Sequence, residues 1–461
     1  MASKETRTET DSMGSVEVPA SALWGAQTQR AIANFQIGDR AMLPAFIRAV
    51  SQIKSAAAEV NVDLGLLDAA RGRAIATAAD QVVAGQYADH FPVDVYQTGS
   101  GTSTNMNVNE VLARLASRSC GVEVSPNDHV NLGQSSNDVI PSAIHIAASL
   151  AMAKDLMPAW QALQAVLGER SEELRDVVKT GRTHLMDAMP VTFGQELSAW
   201  AAQAADLPDR LAGIQPRLAR LALGGTAVGS GINTHAEFGR RVAARLSRVS
   251  GAAFHADDNP FRAIASQDTA AELAAILRSG ALTLTKVAND LRWMNSGPLA
   301  GLGEIQLEPL QPGSSIMPGK VNPVLPEAIA MAAVRIIGLD ATVATAAASG
   351  NFQLNVMLPL IADSLLEAIA LLAGSARAAT RSLARFEIRH QRITEPLARN
   401  PMLVTALNSQ LGYQRAAEIA KRAYLEGRPI IDVALEMTDM ARSDLEVMLD
   451  PKRLTQGGIP D

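Results

Sequence analysis

The chain of 461 residues contains one cysteine, Cys120. A single thiol excludes an internal disulfide framework, a four-cysteine zinc site and a three-cysteine iron–sulfur site, and it fits a reducing, cytoplasmic setting. Aromatic residues are also scarce, at 4%, although 48% of the chain is hydrophobic. The core is therefore aliphatic and alanine-rich, which favours closely packed helices over a β-sandwich. Basic excess is missing as well. With a net charge of −6 there is no positive field to displace counterions, so nucleic acid is not expected as a partner. An anionic ligand would have to be held by local groups.

Three further absences narrow the class. The opening stretch Met1–Thr10 is too polar for a secretory signal and too acidic for a transit peptide. Leu354 to Gly374 is strongly apolar, but Asn355, Asp363 and Glu367 within it point to a buried helix, not a membrane span. None of the seven histidines forms a helical i, i+4 pair with another. The expectation is therefore no metal and no cofactor.

Long helical patterns dominate the rest. They run over about 41–90, 108–119, 143–170, 194–222, 326–348 and 355–385, and in Leu273–Met294 apolar residues recur three, four or seven apart. Few stretches alternate with period two, so the expected class is mainly α. Residues 1–40 look polar and turn-rich. This length calls for more than one folding unit, with boundaries predicted at 134 and 390, where the helical pattern changes.

Polar loops interrupt the helices. Gly313-Ser-Ser-Ile-Met-Pro-Gly-Lys-Val-Asn-Pro-Val-Leu-Pro-Glu327 combines two serines, a lysine and an asparagine with three prolines, ahead of a helix that Pro326 would open. Unpaired N–H groups at such a start, with Lys320 beside them, suit a carboxylate. A phosphate loop fails on spacing: five residues separate Gly313 from Gly319, and Val321 stands where a magnesium-binding Ser or Thr belongs. A plain surface turn is the alternative.

Gln97–Glu110 supplies five hydroxyls and three asparagines, enough to bind a polar ligand or to cap a helix. Val130–Asp138 offers Ser135 and Ser136 to a carboxylate, with Asn137 and Asp138 available to cap a helix beginning at Pro141. Thr180–Pro190 places His184 beside Thr183, either as a proton carrier or as an ordinary surface histidine. Gly224–Gly231 lacks dinucleotide-binding spacing and follows a helical pattern.

These loops, from Thr8-Glu-Thr-Asp-Ser12 and Trp24–Gln29 through Gly313–Pro323 to Met402–Asn408, resemble the fumarase/aspartase superfamily over nearly the whole chain, and most closely its class II, iron-free fumarases. The resemblance implies three mostly helical domains: 1–134, a central long-helix bundle over 135–390, and a small helical domain over 391–461. It also implies a homotetramer whose active sites draw loops from three subunits, and reversible addition of water to fumarate in the tricarboxylic acid cycle. Carried over by motif, Ser314 is the base, Lys320 and Asn322 hold the reacting carboxylate with Ser315 beside them, His184 acts through water, and Glu327 orients it. Ser100, Thr102, Ser135, Ser136, Asn137 and Thr183 match substrate-binding positions.

A second dicarboxylate site would fall at Ser125, Asn127 and Asp128, where the family has His in place of Ser125. Leu132-Gly133 replaces Lys-Ser. Val324-Leu-Pro326 and Leu354–Pro359 look more like aspartases. Ser135–Val139, Ala143–Ala147, Gly224–Gly229 and Pro318–Lys320 look fumarase-like, so hydration is the favoured expectation. Ammonia elimination from aspartate, or hydration of a dicarboxylate such as mesaconate, are the alternatives.

Overall fold

A computed structural model describes residues 5–458; the first four and last three residues, which close the predicted terminal segments, lie outside the described residues. The chain is mainly α, with 63% of residues helical. Sheet is confined to four two-stranded pairs among the described residues. Two compact units form. One comprises Met1–Pro158, Leu207–Ala281 and Ala333–Ala373; the other comprises Ala159–Asp206, Leu282–Ala332 and Gly374–Asp461.

In the first unit, helix Pro44–Asp63 packs on helices Ala69–Val83, Ser136–Ala151 and Phe238–Ser250. Their contact faces bury Phe46, Ile53, Ile75, Ile140 and Ile144 among many alanines. Each large aliphatic side chain so buried contributes about 1.5–3 kcal/mol, and the alanines let the backbones approach. In the second unit Trp160 and Trp200 are fully buried, and the Trp160 indole donates to the Ala204 carbonyl at 2.7 Å. A separate C-terminal cluster gathers Leu407, Ile419, Val433 and Leu445.

Several expected boundaries move. The turn-rich opening contains a hairpin, Thr6–Asp11 with Gly14–Pro19, and a helix, Ala26–Asn34. The ribbon alternates half-buried and exposed positions, but its inward side carries Arg7, Glu9 and Asp11 on one strand, so only Val16 and Val18 give an apolar period-two signal. The helix expected at 108 begins at Thr102, because Thr104, Asn105, Asn107 and Asn109 are buried and bonded within the protein. Pro141 lies inside helix Ser136–Ala151 instead of opening it; the start is set by a capping box between Ser135 and Asp138. Pro326 sits third in helix Val324–Ala347, within the first turn, where a missing N–H loses no intrahelical bond.

Three helices are long and apolar enough, by length and composition, to cross a membrane. In Leu358–Arg385, 72% of the most apolar window is buried inside the structure. Asn355, just before it, is buried and donates to the Ala346 and Ala347 carbonyls at 3.0 and 3.2 Å. The apolar run is a packed helix whose polar members have partners.

Candidate active site

In the first unit the predicted binding residues collect at two helix starts. Ser100 and Thr102 hydroxyls lie 2.8 Å apart at the head of helix Thr102–Cys120. Gly99 is pressed against the Val356 carbonyl so closely that a Cβ there would sit 1.8 Å from its oxygen. The adjacent Gly99 carbonyl accepts the Leu358 N–H at 3.0 Å. The loop carrying Ser100 is thereby anchored on backbone.

At the second start, Ser135 Oγ accepts the Asn137 N–H at 3.2 Å, and the Ser135 N–H returns to Asp138 Oδ1 at 2.9 Å. Such caps contribute about 1 kcal/mol each. Asp138 Oδ2 also accepts the Gly224 and Thr226 N–H groups, so the glycine-rich loop is a carboxylate cradle. Burial outweighs these bonds and pushes the Asp138 carboxyl up to about 6. Asn137 Nδ2 donates to the Ala227 carbonyl at 2.8 Å. Ser136 is buried and Ser135 half-buried.

In the second unit, strands Val178–Thr183 and Met186–Thr192 pair so that Thr183 faces Met186. His184 and Leu185 form the two-residue turn, both left-handed with φ of 56° and 61°. That is the type I′ geometry usually filled by Asn-Gly. Two side chains in this region store of order 1–2 kcal/mol each, and Thr183 and His184 are exposed at the tip. Below the tip lies an ion cluster: Glu304 is 2.7 Å from Lys179 and 2.7 Å from Arg182, and Lys179 is also 3.0 Å from Glu196. Lys179 and Glu304 side chains are only 2% and 3% exposed.

The Gly313–Glu327 loop folds back on itself. Gly313 donates to the Lys320 carbonyl at 2.7 Å, and Asn322 Nδ2 donates to the Gly313 carbonyl at 2.8 Å. Within that ring Ser314 Oγ accepts the N–H groups of Ile316 and Met317 at 3.2 and 3.1 Å. Two backbone donors aimed at one hydroxyl oxygen favour its negative form. Ser315 and Lys320 are exposed. Lys320, Asn322 and Glu327 line a cavity of about 620 Å³ together with Arg292, Gln306 and Arg389. Thr183, His184, Ser314 and Ser315 are not among its lining.

Ser125 and Asp128 satisfy each other: Ser125 Oγ accepts the Asp128 N–H at 3.1 Å and donates to Asp128 Oδ2 at 2.9 Å. Asn127 is exposed on the same turn. Among the described residues no group of three or more His, Cys, Asp or Glu is placed to hold a metal ion.

The sequence reading missed Arg292 and Arg389, which carry no local motif, and Lys54, which lies in an ordinary helical pattern. Lys54 is fully buried and donates to Asn131 and Gln134. A lysine at an inward-facing helical position was the available signal.

A family model described as Lyase matches residues 14–338, and one described as Fumarase C C-terminus matches residues 403–456. A relative from Pseudomonas aeruginosa named fumarate hydratase class II 2 is 57% identical over 99% of this chain and 100% of its own. One from Xylella fastidiosa, named fumarate hydratase class II, is 55% identical over 98% and 96%. A solved class II fumarase from Schistosoma mansoni superposes with a TM-score of 0.95 at 34% identity, covering 98% of this chain and 99% of that one. The chain belongs to the fumarase/aspartase lyase superfamily, within its class II fumarase branch.

Proposed function

We propose that this protein is a fumarate hydratase, adding water reversibly and in anti fashion to fumarate to give (S)-malate. The observation that carries the reading is full-length identity to relatives bearing that name, 57% in one case, and the loop geometry supplies the chemistry. In the malate-forming direction water adds at one alkene carbon and a proton at the other; in reverse the carbon-bound proton leaves first. Its departure makes a doubly charged aci-carboxylate, the species that preorganised donors must stabilise.

Ser314 is the proposed base, its alkoxide supported by the Ile316 and Met317 N–H groups. Lys320 and Asn322 hold the carboxylate that takes up charge, with Ser315 beside them. His184, oriented by Glu327, delivers a proton through a bound water to the departing hydroxyl, which leaves as water; in the hydration direction it takes that proton back. Ser100, Thr102, Ser135, Ser136, Asn137 and Thr183 bind the rest of the substrate. No cofactor is required.

Self-association belongs to the same proposal: a homotetramer, cytoplasmic, with each site drawn from three subunits. In helix Val324–Ala347 only 33% of the most apolar window is buried within the chain, and Met331 and Val334 are 68% and 69% exposed. An apolar face of that kind calls for partner helices. Ser125, Asn127 and Asp128 would form at most a weak second dicarboxylate site, since Ser125 and Asp128 already satisfy each other.

Steady-state assays on fumarate with water, fumarate with ammonia, and mesaconate with water test the reading. Hydration of fumarate should dominate. Ammonia-dependent loss of fumarate without hydration would move the assignment to an aspartate ammonia-lyase, and faster turnover of mesaconate would move it to a methyl-substituted substrate.

A further inference from the structure

Lys54 sits in helix Pro44–Asp63 with no exposed surface. Its ammonium donates to Asn131 Oδ1 at 2.9 Å and Gln134 Oε1 at 3.0 Å. Both acceptors are neutral amides. A buried ammonium normally keeps a carboxylate in contact, because amide dipoles alone do not repay its lost hydration. Asp138 is the charge that bears on it. Yet that carboxylate is turned to the N–H groups of Ser135, Gly224 and Thr226. The cation is under-compensated, and burial pulls it down to about 7.

The same amide oxygen that receives Lys54 leads to the serine row. Asn131 Oδ1 also accepts from Asn105 Nδ2 and Asn109 Nδ2, each at 3.2 Å. Asn105 Nδ2 in turn reaches Ser136 Oγ at 3.1 Å. Because Ser136 Oγ accepts from this amide, its own proton is left to donate elsewhere. Asn105 and Asn109 are 1% and 0% exposed, so the step from Asn105 to Ser136 is shielded from water, while Asn131 and Gln134 are half-buried.

We propose that Lys54 is a positioning residue for the substrate. Its buried ammonium, acting through Asn131 and Asn105, aims the Ser136 hydroxyl as a donor and supplies positive charge answered by a carboxylate bound at Ser135, Ser136 and Asn137. The inference rests on reading that serine row as a carboxylate site. It adds a side chain remote from the ligand whose loss weakens binding, not chemistry.

The test is steady-state kinetics at pH 6, where Lys54 carries its charge, on the full-length Lys54→Met, Lys54→Gln and Ser136→Ala proteins, with succinate as a saturated dicarboxylate inhibitor. Lys54→Met should raise the fumarate KM and the succinate inhibition constant about tenfold, leaving kcat within about twofold. Lys54→Gln keeps a donor without the charge and should fall between that variant and the native protein. A purely structural lysine would lower thermal stability and leave both constants unchanged, which would overturn the proposal. So would a collapse of kcat at constant KM. Should Lys54→Met fail to fold, the Gln variant decides, and unchanged constants there are equally fatal. Ser136→Ala separates the two layers. If it leaves KM and the inhibition constant untouched, the serine-row reading fails and takes this inference with it. If it raises both while the Lys54 variants do not, only the Lys54 role is lost.

Discussion

Replacing Glu304 by glutamine tests what holds the His184 hairpin in its strained turn. Glu304 is 2.7 Å from both Lys179 and Arg182. At that distance a unit-charge pair has a gross attraction of about 6 kcal/mol at an effective dielectric constant of about 20. Most of that offsets desolvation of the partners, so the measurable quantity is the cost of removing one side of a buried pair, about 3–5 kcal/mol. The low end applies here. Lys179 keeps Glu196 at 3.0 Å and the Phe193 ring at 4.4 Å, and Arg182, one-fifth exposed, regains water.

Unfolding entropy of about 2 cal/mol/K per residue over 461 residues makes 1 kcal/mol equal to about 1 °C. Glu304→Gln should therefore lower the thermal midpoint by about 3 °C, and it should lower kcat because Thr183 and His184 ride on the loosened hairpin. Scanning calorimetry beside a fumarate assay reads both. Glu172→Gln, in a pair with Arg175 exposed on both sides, should leave the midpoint where it was. If the two variants behave alike, the Lys179–Glu304–Arg182 cluster is not what supports the turn.

Ser314→Ala should reduce kcat by about 10²- to 10⁴-fold, the range expected for loss of a positioned base, with KM changed only a few-fold; near-native turnover would remove Ser314 from that role. Lys54 carries a pH signature of its own. Its folded value of about 7 lies below the ordinary 10.5, so between those limits the unfolded chain holds more protons and stability from this group rises with pH. It is lost as pH falls through 7. From pH 7 to pH 9 the native protein should gain about 2 kcal/mol relative to Lys54→Met, at about 1.4 kcal/mol per unit once clear of 7. Urea midpoints at the two pH values measure it, and a constant difference would show that burial does not perturb this ammonium.

The helical class was legible because an alanine-rich core with 4% aromatics leaves few other ways to bury its surface. The loops were legible because Gly, Ser and Asn runs cannot continue those helices. What misled was polarity inside helices. Thr104, Asn105, Asn107 and Asn109 read as a ligand-binding or capping stretch, yet they occupy the first half of a buried helix. Asn107 bonds the His90 carbonyl, Asn105 the Ser136 hydroxyl and Asn109 the Asn131 side chain. Those partners lie elsewhere in sequence, and nothing local announces them. The His184-Leu185 turn was hidden for another reason: a type I′ hairpin is usually advertised by glycine or asparagine, and here neither stands at the two left-handed positions. Arg292 and Arg389 reach the cavity from separate segments.

The misread asparagines and the overlooked lysine are one physical fact. An isolated buried amide invites a search for a ligand, and an isolated lysine in a helical pattern invites a solvent-facing assignment. Placed together they change meaning. Lys54 requires acceptors, Asn131 and Gln134 provide them, and Asn105 links that group to Ser136. Apolar residues of similar volume would pack this region at no desolvation cost. A polar interior there is explicable by the field and hydroxyl orientation it creates at the start of helix Ser136–Ala151. The stability lost in burying the Lys54 charge should therefore be recoverable. Lys54→Met should unfold at higher urea than the native protein at pH 6, where the native ammonium is charged, and a lower midpoint there would show that its bonds to Asn131 and Gln134 outweigh the lost hydration.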